Sequence, residues 1–218
     1  MPKCFDNGFK CETIGSNDCL DRAIKYYWKY QYISPKRTVL TDSDDFKFSE
    51  AVYILKNQDR KKTDSYLDPY AEAVKNEISE GLNFLIQHLE TEGQPWVVVA
   101  VPRSKANFLP RQLRLIKAIS DAVPQQLENG AYFIKRHTNT ATTHLENASG
   151  NWNSPNEPRP HRGITRDTCR LEGDVRGKNV ILIDDIYTRG VNVDEDCIQF
   201  LFDNGAVNVV LYTLCRTY

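Results

Sequence analysis

The chain has almost no net charge, and this absence limits the partners that it can attract. Its 28 basic and 29 acidic residues leave a formal charge of −1. A balance of this kind creates no strong overall field, so it does not support binding to nucleic acid or to a membrane surface. No apolar run is long enough to cross a bilayer, and the N-terminus lacks the charged and then apolar regions of a secretory signal. We therefore expect a cytoplasmic protein with no membrane partner.

The six cysteines lack the spacing of a zinc ribbon, because no Cys-x-x-Cys pair occurs. Cys4, Cys11 and Cys19 cluster near the start of the chain and form the only candidate metal site that the cysteines offer. That cluster has no clear fourth ligand. Free, partly buried thiols are therefore the better interpretation.

The pattern of apolar residues changes near residue 96. Before it, apolar residues such as Ile78, Leu82 and Leu85 recur every three to four positions, which predicts helices. After it, short apolar runs alternate with helical segments, which predicts a parallel α/β sheet with crossover helices. The sequence thus predicts a helical N-terminal extension over residues 1–95 and an α/β core over residues 96–218.

Two features of the N-terminal extension allow more than one interpretation. We expect a helix to begin near Asp18, and its apolar face would carry Leu20, Ala23, Ile24, Tyr27 and Trp28. The dense aromatic residues of this region either stack on bases or pack in a core, and the mixed charge around them favours the core. The basic segment 56–62 is expected to be a solvated loop.

The most informative stretch lies at residues 180–192. Four apolar residues, Val180 to Ile183, predict a buried parallel strand, and Asp184 and Asp185 follow directly. Ligands of open α/β sheets bind at the carboxyl ends of such strands. An ordinary strand-to-helix turn with two solvated acids is the alternative that this pattern leaves open.

The loop after this strand has features of a phosphate site. Gly190 allows the backbone to approach a ligand closely, and Asn192 is placed to cap the next helix with Glu195 in the capping-box position. Backbone N–H groups and a helix N-terminus would then meet at one point, which favours an anion.

A second anion site is expected after the strand at Val97–Val101. Pro102-Arg103-Ser104-Lys105 follows that strand and supplies two cations and a hydroxyl at its carboxyl end. Taken alone this tetrapeptide is a weak signal. Its position, one strand–helix–strand interval before the acid pair, makes the prediction stronger.

Residues 137–165 are polar and show little periodicity, and a segment of this length in a domain is typical of a lid or binding loop. Its candidate cations for an anionic ligand are Arg159, Arg162 and Arg166. A surface loop with scattered charges is the alternative. The histidines His137, His144 and His161 are expected to be surface residues rather than acid–base groups.

The segment from Val180 to Asn192 resembles the motif with which type I phosphoribosyltransferases bind PRPP (5-phosphoribosyl 1-diphosphate). Four apolar residues, two acids and a small polar loop around glycine match it, whereas Tyr187 and Asn192 depart from the usual aliphatic residue and Thr or Ser. The resemblance implies an α/β fold with a parallel-sheet type I phosphoribosyltransferase core (Rossmann-like) and a lid at about residues 137–165 that closes over PRPP.

The resemblance also implies roles for individual residues. Asp184 and Asp185 would face the ribose hydroxyls and hold Mg²⁺, directly or through water. The 5′-phosphate would be bound by Thr188, Arg189, Gly190, Val191 and Asn192. The pyrophosphate would be bound by Arg103, Ser104, Lys105 and the backbone of Ala106.

Within this family the broad layout is most similar to the ComF group. The segments that carry this similarity are Leu55 to Arg60, Arg136 to Leu145 and Cys215-Arg216-Thr217. Thr188 replaces the acid that purine-salvage enzymes use for the base, and Pro2 replaces the catalytic cysteine of the glutamine-dependent enzymes. The four-cysteine zinc module usual in ComF proteins is not matched by the three N-terminal cysteines.

The implied activity is transfer of the phosphoribosyl group from PRPP to a nitrogen acceptor such as a nucleobase, with release of pyrophosphate. Its catalytic residues would be Asp184, Asp185, Arg103 and Lys105, and its cofactor Mg²⁺. The acceptor is not identified by any residue. The alternative is a non-catalytic sensor of PRPP or a nucleoside phosphate, acting as a regulator or within a DNA-uptake or defence assembly. A homodimer or larger assembly is compatible with both.

Overall fold

A mostly parallel sheet forms the centre of the chain in its computed structural model. The structure describes residues 2–34, 43–57, 62–89, 93–107, 113–140 and 163–217. The strands are β1 (Lys3–Cys4), β2 (Lys10–Ile14), β3 (Ile24–Gln31), β4 (Trp96–Ala100), β5 (Glu128–Asn129), β6 (Ile134–Arg136), β7 (Cys169–Leu171), β8 (Asn179–Tyr187) and β9 (Asn208–Arg216). The helices are α1 (Asp44–Asn57), α2 (Asp64–His88), α3 (Arg114–Ala122) and α4 (Val193–Asp203).

The central sheet has the strand order β1-β2-β3-β9-β8-β4-β5. Strands β3, β9, β8, β4 and β5 pair with one another in parallel. On the other side of β3, strand β2 pairs antiparallel with β3, and β1 pairs antiparallel with β2. The fold is therefore mixed α/β, as the sequence predicts. Strand β8, which carries the acid pair, lies inside the sheet between β4 and β9.

Apolar layers cover both faces of this sheet. On one face, Ile181 and Ile183 of β8 pack in a core that includes residues of α1, α2 and α3. On the other face, Val180 and Leu182 pack in a core that includes residues of α4. Because both faces are buried, β8 is a continuous apolar run rather than an alternating one, as expected for an interior parallel strand.

The helix expected from Asp18 to Trp28 is wrong, because residues 24–31 form strand β3. Consecutive residues Tyr26, Tyr27 and Trp28 are all buried, since the two faces of this interior strand are both covered. Burial on both sides removes the alternation of a half-buried strand. The core interpretation of these aromatic side chains is confirmed.

The N-terminal extension is thus helical only in α1 and α2, and its strands join the same sheet as the core strands. The division of the chain near residue 95 stays a prediction. Helix α2 begins at Asp64, and the Thr63 hydroxyl caps it by accepting a hydrogen bond from the Tyr66 N–H. Among the described residues, no helix combines the length and the apolar character that crossing a membrane requires.

The apolar run Ala131–Ile134 does not join the central sheet. Strand β6 begins at Ile134 and pairs antiparallel with β7 in a separate two-stranded sheet. The edge position next to β4 is taken instead by the two residues of β5. Strands β4, β8 and β9 therefore lie side by side in the central sheet, whereas this segment lies outside it.

Candidate functional site

The acid pair lies where the central strand β8 approaches its carboxyl end. Asp184 is partly exposed, whereas Asp185 is 2% exposed. The Asp185 N–H donates to Asp184 Oδ1 at 2.8 Å, which fixes the carboxylate of Asp184 over the strand end. The pair therefore presents one accessible and one buried carboxyl group at the edge where parallel sheets bind ligands.

Lys56 neutralises the buried member of the pair. Its ammonium group lies 2.8 Å from Asp185 Oδ1, and the exposed fractions of the two side chains are 28% and 1%. The solvated loop predicted for residues 56–62 is therefore wrong at its first residue, which lies in the last turn of α1. Residues 58–61 lie outside the described part of the chain. The sequence offered no signal for this contact, because its partners are 129 positions apart.

A third carboxyl group, that of Asp194, joins the site from the first turn of α4. It interacts with the carboxyl group of Asp184. Burial and the neighbouring charge of Asp185 raise the pKa of Asp184 to about 7. Burial and the charge of Asp184 also raise the pKa of Asp194 well above its usual value.

The loop at residues 188–192 has the backbone shape of an anion site. Gly190 has a φ of 83° and Asn192 a φ of 61°, so two residues are left-handed within three positions. The Val191 N–H donates to the Thr188 carbonyl at 3.2 Å. Among the described residues we find no acceptor for the N–H groups of Gly190 and Asn192. Turns of this kind leave N–H groups free for a phosphate.

The capping box expected at this helix is wrong. Asn192 makes no capping hydrogen bond, because its left-handed backbone does not present the side chain to the first turn of α4. The carboxylate of Glu195 instead accepts a hydrogen bond from the Tyr187 hydroxyl at 2.8 Å. Tyr187, which replaces the aliphatic residue usual in the motif, thus links the end of β8 to the first turn of α4 by a hydrogen bond.

The segment after β4 places one of its two cations near the acid pair. Arg103 Nη2 donates to the carbonyl of Lys56 at 3.1 Å, so Arg103 reaches the residue that pairs with Asp185. Lys105 Nζ instead donates to the Thr140 carbonyl at 2.9 Å. Arg103 and Asp185 therefore both contact Lys56, whereas the ammonium group of Lys105 is turned toward the segment after β6.

Backbone groups of this segment are engaged as well. The Ala106 N–H donates to Asn139 Oδ1 at 2.8 Å, and the carbonyl of Ser104 accepts from the Thr140 N–H at 2.9 Å. A pyrophosphate bound by the Ala106 backbone would have to replace the side chain of Asn139.

Arg136 supports this segment, and sequence reasoning assigned it no role of its own. Its guanidinium is buried and donates to the carbonyls of Arg103 at 2.5 Å and Gly163 at 2.7 Å. Burial lowers the pKa of Arg136. Arg136 lies two residues after Ile134 in an alternating pattern. This alternation indicates a strand, but it does not show that the side chain of Arg136 is buried.

Much of the predicted lid lies outside the described residues, including Arg159, Arg162, His144 and His161. Arg166 is described, and it donates to the carbonyl of Asp203 at the C-terminal end of α4. The acid pair lies at the opposite end of that helix, so the role expected for Arg166 at the pyrophosphate is not supported. His137 is exposed and contacts the Thr138 hydroxyl, as expected for a surface residue.

The donors at the acid pair fit Mg²⁺ in chemical type, since carboxylate oxygens are its usual protein ligands. Asp194 Oδ1 is buried and has no hydrogen-bond partner in the described chain, which leaves one acceptor unsatisfied beside Asp184. Within the described ranges, however, no group of three or more His, Cys, Asp or Glu side chains could enclose a metal ion. The site therefore suits an Mg²⁺ ion that a bound ligand also coordinates, rather than an ion enclosed by protein groups alone.

Two cavities in the described structure lie elsewhere. One of about 450 Å³ is lined by residues that include Lys3, Glu12 and Lys25 of the antiparallel edge. The other, of about 280 Å³, is lined mainly by apolar residues and includes Trp96 at the start of β4. Neither contains the acid pair, and the chemistry of the carboxyl groups is the better guide to the site.

No protein-family model matches the chain. Its sequence is 36% identical over 84 residues to the DNA utilization protein YhgH of Escherichia coli O157:H7, and 33% identical over 84 residues to the protein of the same name in strain K12. Each match covers 38% of this chain and 32% of the relative. The chain thus matches about a third of the length of these curated relatives.

Among solved structures, two crystal forms of a hypoxanthine phosphoribosyltransferase from Staphylococcus aureus align with the chain at 16% identity. The TM-scores are 0.35 and 0.34, and the alignments cover 67% of this chain and 64% of the other. The description of the fold given above therefore rests on the strand order and pairing of the chain itself.

Proposed function

We propose that the chain binds a phosphorylated ribose at the carboxyl end of β8 and transfers the phosphoribosyl group of PRPP to a nitrogen acceptor. One observation carries this proposal: the acid pair of an interior strand is followed, after the last two residues of β8, by a turn with two left-handed residues and the start of α4. Carboxylates that suit the ribose hydroxyls therefore lie close in sequence to N–H groups that suit a phosphate.

The residues around this point divide the ligand between them. Asp184 and Asp185 accept hydrogen bonds from the ribose hydroxyls. The N–H groups of the turn at residues 188–192 hold the 5′-phosphate. Arg103 lies on the other side of the acid pair, reached through Lys56, and is placed to attract the pyrophosphate.

In the reaction, the bond between ribose C1 and the pyrophosphate oxygen breaks, and its electron pair leaves with pyrophosphate. The lone pair of the acceptor nitrogen forms the new bond to C1, and the proton of that nitrogen is lost to solvent. Arg103 stabilises the charge that develops on the leaving group, without proton transfer. Mg²⁺, when bound, would neutralise pyrophosphate oxygens, with Asp184 and Asp185 as its protein contacts, directly or through water.

Calorimetric titration with PRPP and Mg²⁺ tests binding, and release of pyrophosphate in the presence of a panel of nucleobases tests transfer. Asp184→Asn and Asp185→Asn should each weaken PRPP binding roughly tenfold or more, because each removes a charged hydrogen-bond acceptor. Asp121→Asn is the matched control, since Asp121 lies on α3 and pairs with Lys117. Unchanged affinity in both site variants would contradict the proposal.

A second candidate function, a sensor that binds the same ligand without turnover, is favoured by one observation. The Ala106 N–H and the Lys105 ammonium group, two donors expected at the pyrophosphate, are bonded to Asn139 and Thr140. A role in DNA utilization, after which the YhgH relatives are named, would suit such a sensor. Tight PRPP binding without pyrophosphate release across the panel would favour the sensor, and release with one base would favour the transferase.

A further inference from the structure

Lys56 connects the two halves of the proposed site. Its carbonyl accepts a hydrogen bond from Arg103 at 3.1 Å, and its ammonium group pairs with Asp185 at 2.8 Å. A single residue at the end of α1 therefore contacts both the cation expected at the pyrophosphate and the acid expected at the ribose.

The position of α1 is fixed by contacts near its start. Asp45 Oδ1 accepts a hydrogen bond from the Gln31 N–H at 2.8 Å, and the Ser49 hydroxyl accepts one from the Ile33 N–H at 2.9 Å. Gln31 is the last residue of β3, which belongs to the same sheet as β8, and Ile33 follows shortly after it. The helix is therefore anchored, and the side chain of Lys56 is the part that is free to change its partner.

The Lys56–Asp185 pair is unequal in exposure. The Asp185 side chain is 1% exposed and needs a counter-charge or hydrogen-bond donors to stay ionised. The Lys56 side chain is 28% exposed, so a ligand at the end of β8 can reach its ammonium group. A ribose hydroxyl that donates to Asp185 would satisfy the carboxylate and leave the ammonium group in need of a new anion.

We propose that Lys56 is a ligand-displaced counter-ion, which pairs with Asp185 in the free protein and transfers to a pyrophosphate oxygen when PRPP binds. This inference rests on the proposed function and adds a determinant of specificity to it. PRPP offers the displaced ammonium group a pyrophosphate beside Arg103. Ribose 5-phosphate has the same hydroxyls and 5′-phosphate but offers no such anion, so Lys56 favours PRPP over it.

The test compares the affinities of both ligands by calorimetry in Lys56→Met and Lys56→Gln. Met removes the charge and keeps the apolar stem, whereas Gln also retains a donor for Asp185 and so protects the fold if the buried carboxylate destabilises the Met variant. Lys47→Met is the control on the same helix, because Lys47 is 60% exposed and pairs only weakly with Asp44, at 3.7 Å. Thermal unfolding of each variant is measured alongside.

Both Lys56 variants should weaken PRPP binding about tenfold or more and change ribose 5-phosphate binding by less than about twofold, since only PRPP gains the ammonium contact. Equal weakening for both ligands would assign Lys56 a purely structural role and overturn the inference, and so would unchanged PRPP affinity. Wild-type protein that binds neither ligand would overturn the proposed function, and the inference with it. Wild-type binding of both with equal losses in the variants would overturn the inference alone.

Discussion

The buried carboxyl group of Asp194 interacts with that of Asp184 across the junction between β8 and α4. The acid pair of the motif is therefore part of a group of three carboxyl groups, with one cation, Lys56, against Asp185. Such crowding is unfavourable for three negative charges and favours protonation of a carboxyl group. We therefore expect the site to respond to pH in the neutral range, because the pKa of Asp184 is raised to about 7.

Stability should fall as the pH rises from about 4 to about 7, because the pKa of Asp184 is raised from 3.8 in a free carboxyl to about 7 in the fold. The folded state binds the proton more tightly than the unfolded chain, so the stabilisation is complete below the unfolded pKa and is lost through the folded one. Urea unfolding across this range measures it. Asp184→Asn should show a shallower decline, and parallel curves for the two proteins would contradict the shifted pKa.

Gly190→Ala should weaken the binding of a phosphorylated ligand, whereas Gly177→Ala should not. Both glycines have positive φ values, 83° and 72°, and an added Cβ meets no heavy atom within 4 Å at either position. Each substitution should therefore cost about 1 kcal/mol of unfolding free energy from backbone strain alone.

Gly177 lies before β8, at the opposite end of the strand from the turn at residues 188–192. The two variants are thus matched in strain and differ in location. Chemical denaturation checks the equal loss of stability, and calorimetry with PRPP checks the unequal loss of affinity. Equal affinities for PRPP in the two variants would argue against a phosphate at this turn.

Gly81→Ala should destabilise the protein by about 1–3 kcal/mol, since the new Cβ would overlap the ring of buried Tyr212 and force α2 away from β9. In an exposed helix the same change would stabilise by about 1 kcal/mol through helix propensity. We expect the cost of the overlap to exceed the gain in helix propensity, because the ring of Tyr212 is fully buried. Gly15→Ala, where a Cβ meets nothing within 4 Å, is the control. A higher unfolding midpoint for Gly81→Ala would refute this packing.

Arg136→Met should loosen the segment after β4 without unfolding the sheet. The substitution removes the donors to the carbonyls of Arg103 and Gly163. Amide hydrogen exchange should therefore accelerate in residues 102–106 while the strands stay protected. Arg170→Met is the control, because Arg170 is exposed and pairs with Glu172. Unchanged exchange in 102–106 would mean that other contacts hold the segment.

The parts that sequence reasoning anticipated are those with strong local signals. The apolar run of β8, its two acids and the glycine turn were all placed correctly relative to one another. The strand at β4 was also predicted, and its carboxyl end lies beside that of β8 because the two strands pair in parallel.

The parts that it missed depend on tertiary contacts. Strand β3 was mistaken for a helix because burial on both faces erased its alternation. The role of Lys56 depends on an acid 129 positions away, and the partner of Asp184 is a residue expected only to begin a helix. Local spacing carries no information about such pairs, whose partners meet only once the sheet has formed.

The position of β3 beside β9 has a consequence for synthesis of the chain. Tyr26 and Thr213, which hydrogen-bond across these strands, are separated by 187 positions. A nascent polypeptide emerging from the ribosome exposes the aromatic strand long before its partner has been translated. Final closure of the sheet therefore waits for the synthesis of β9 and has a high contact order, and we expect it to be slow.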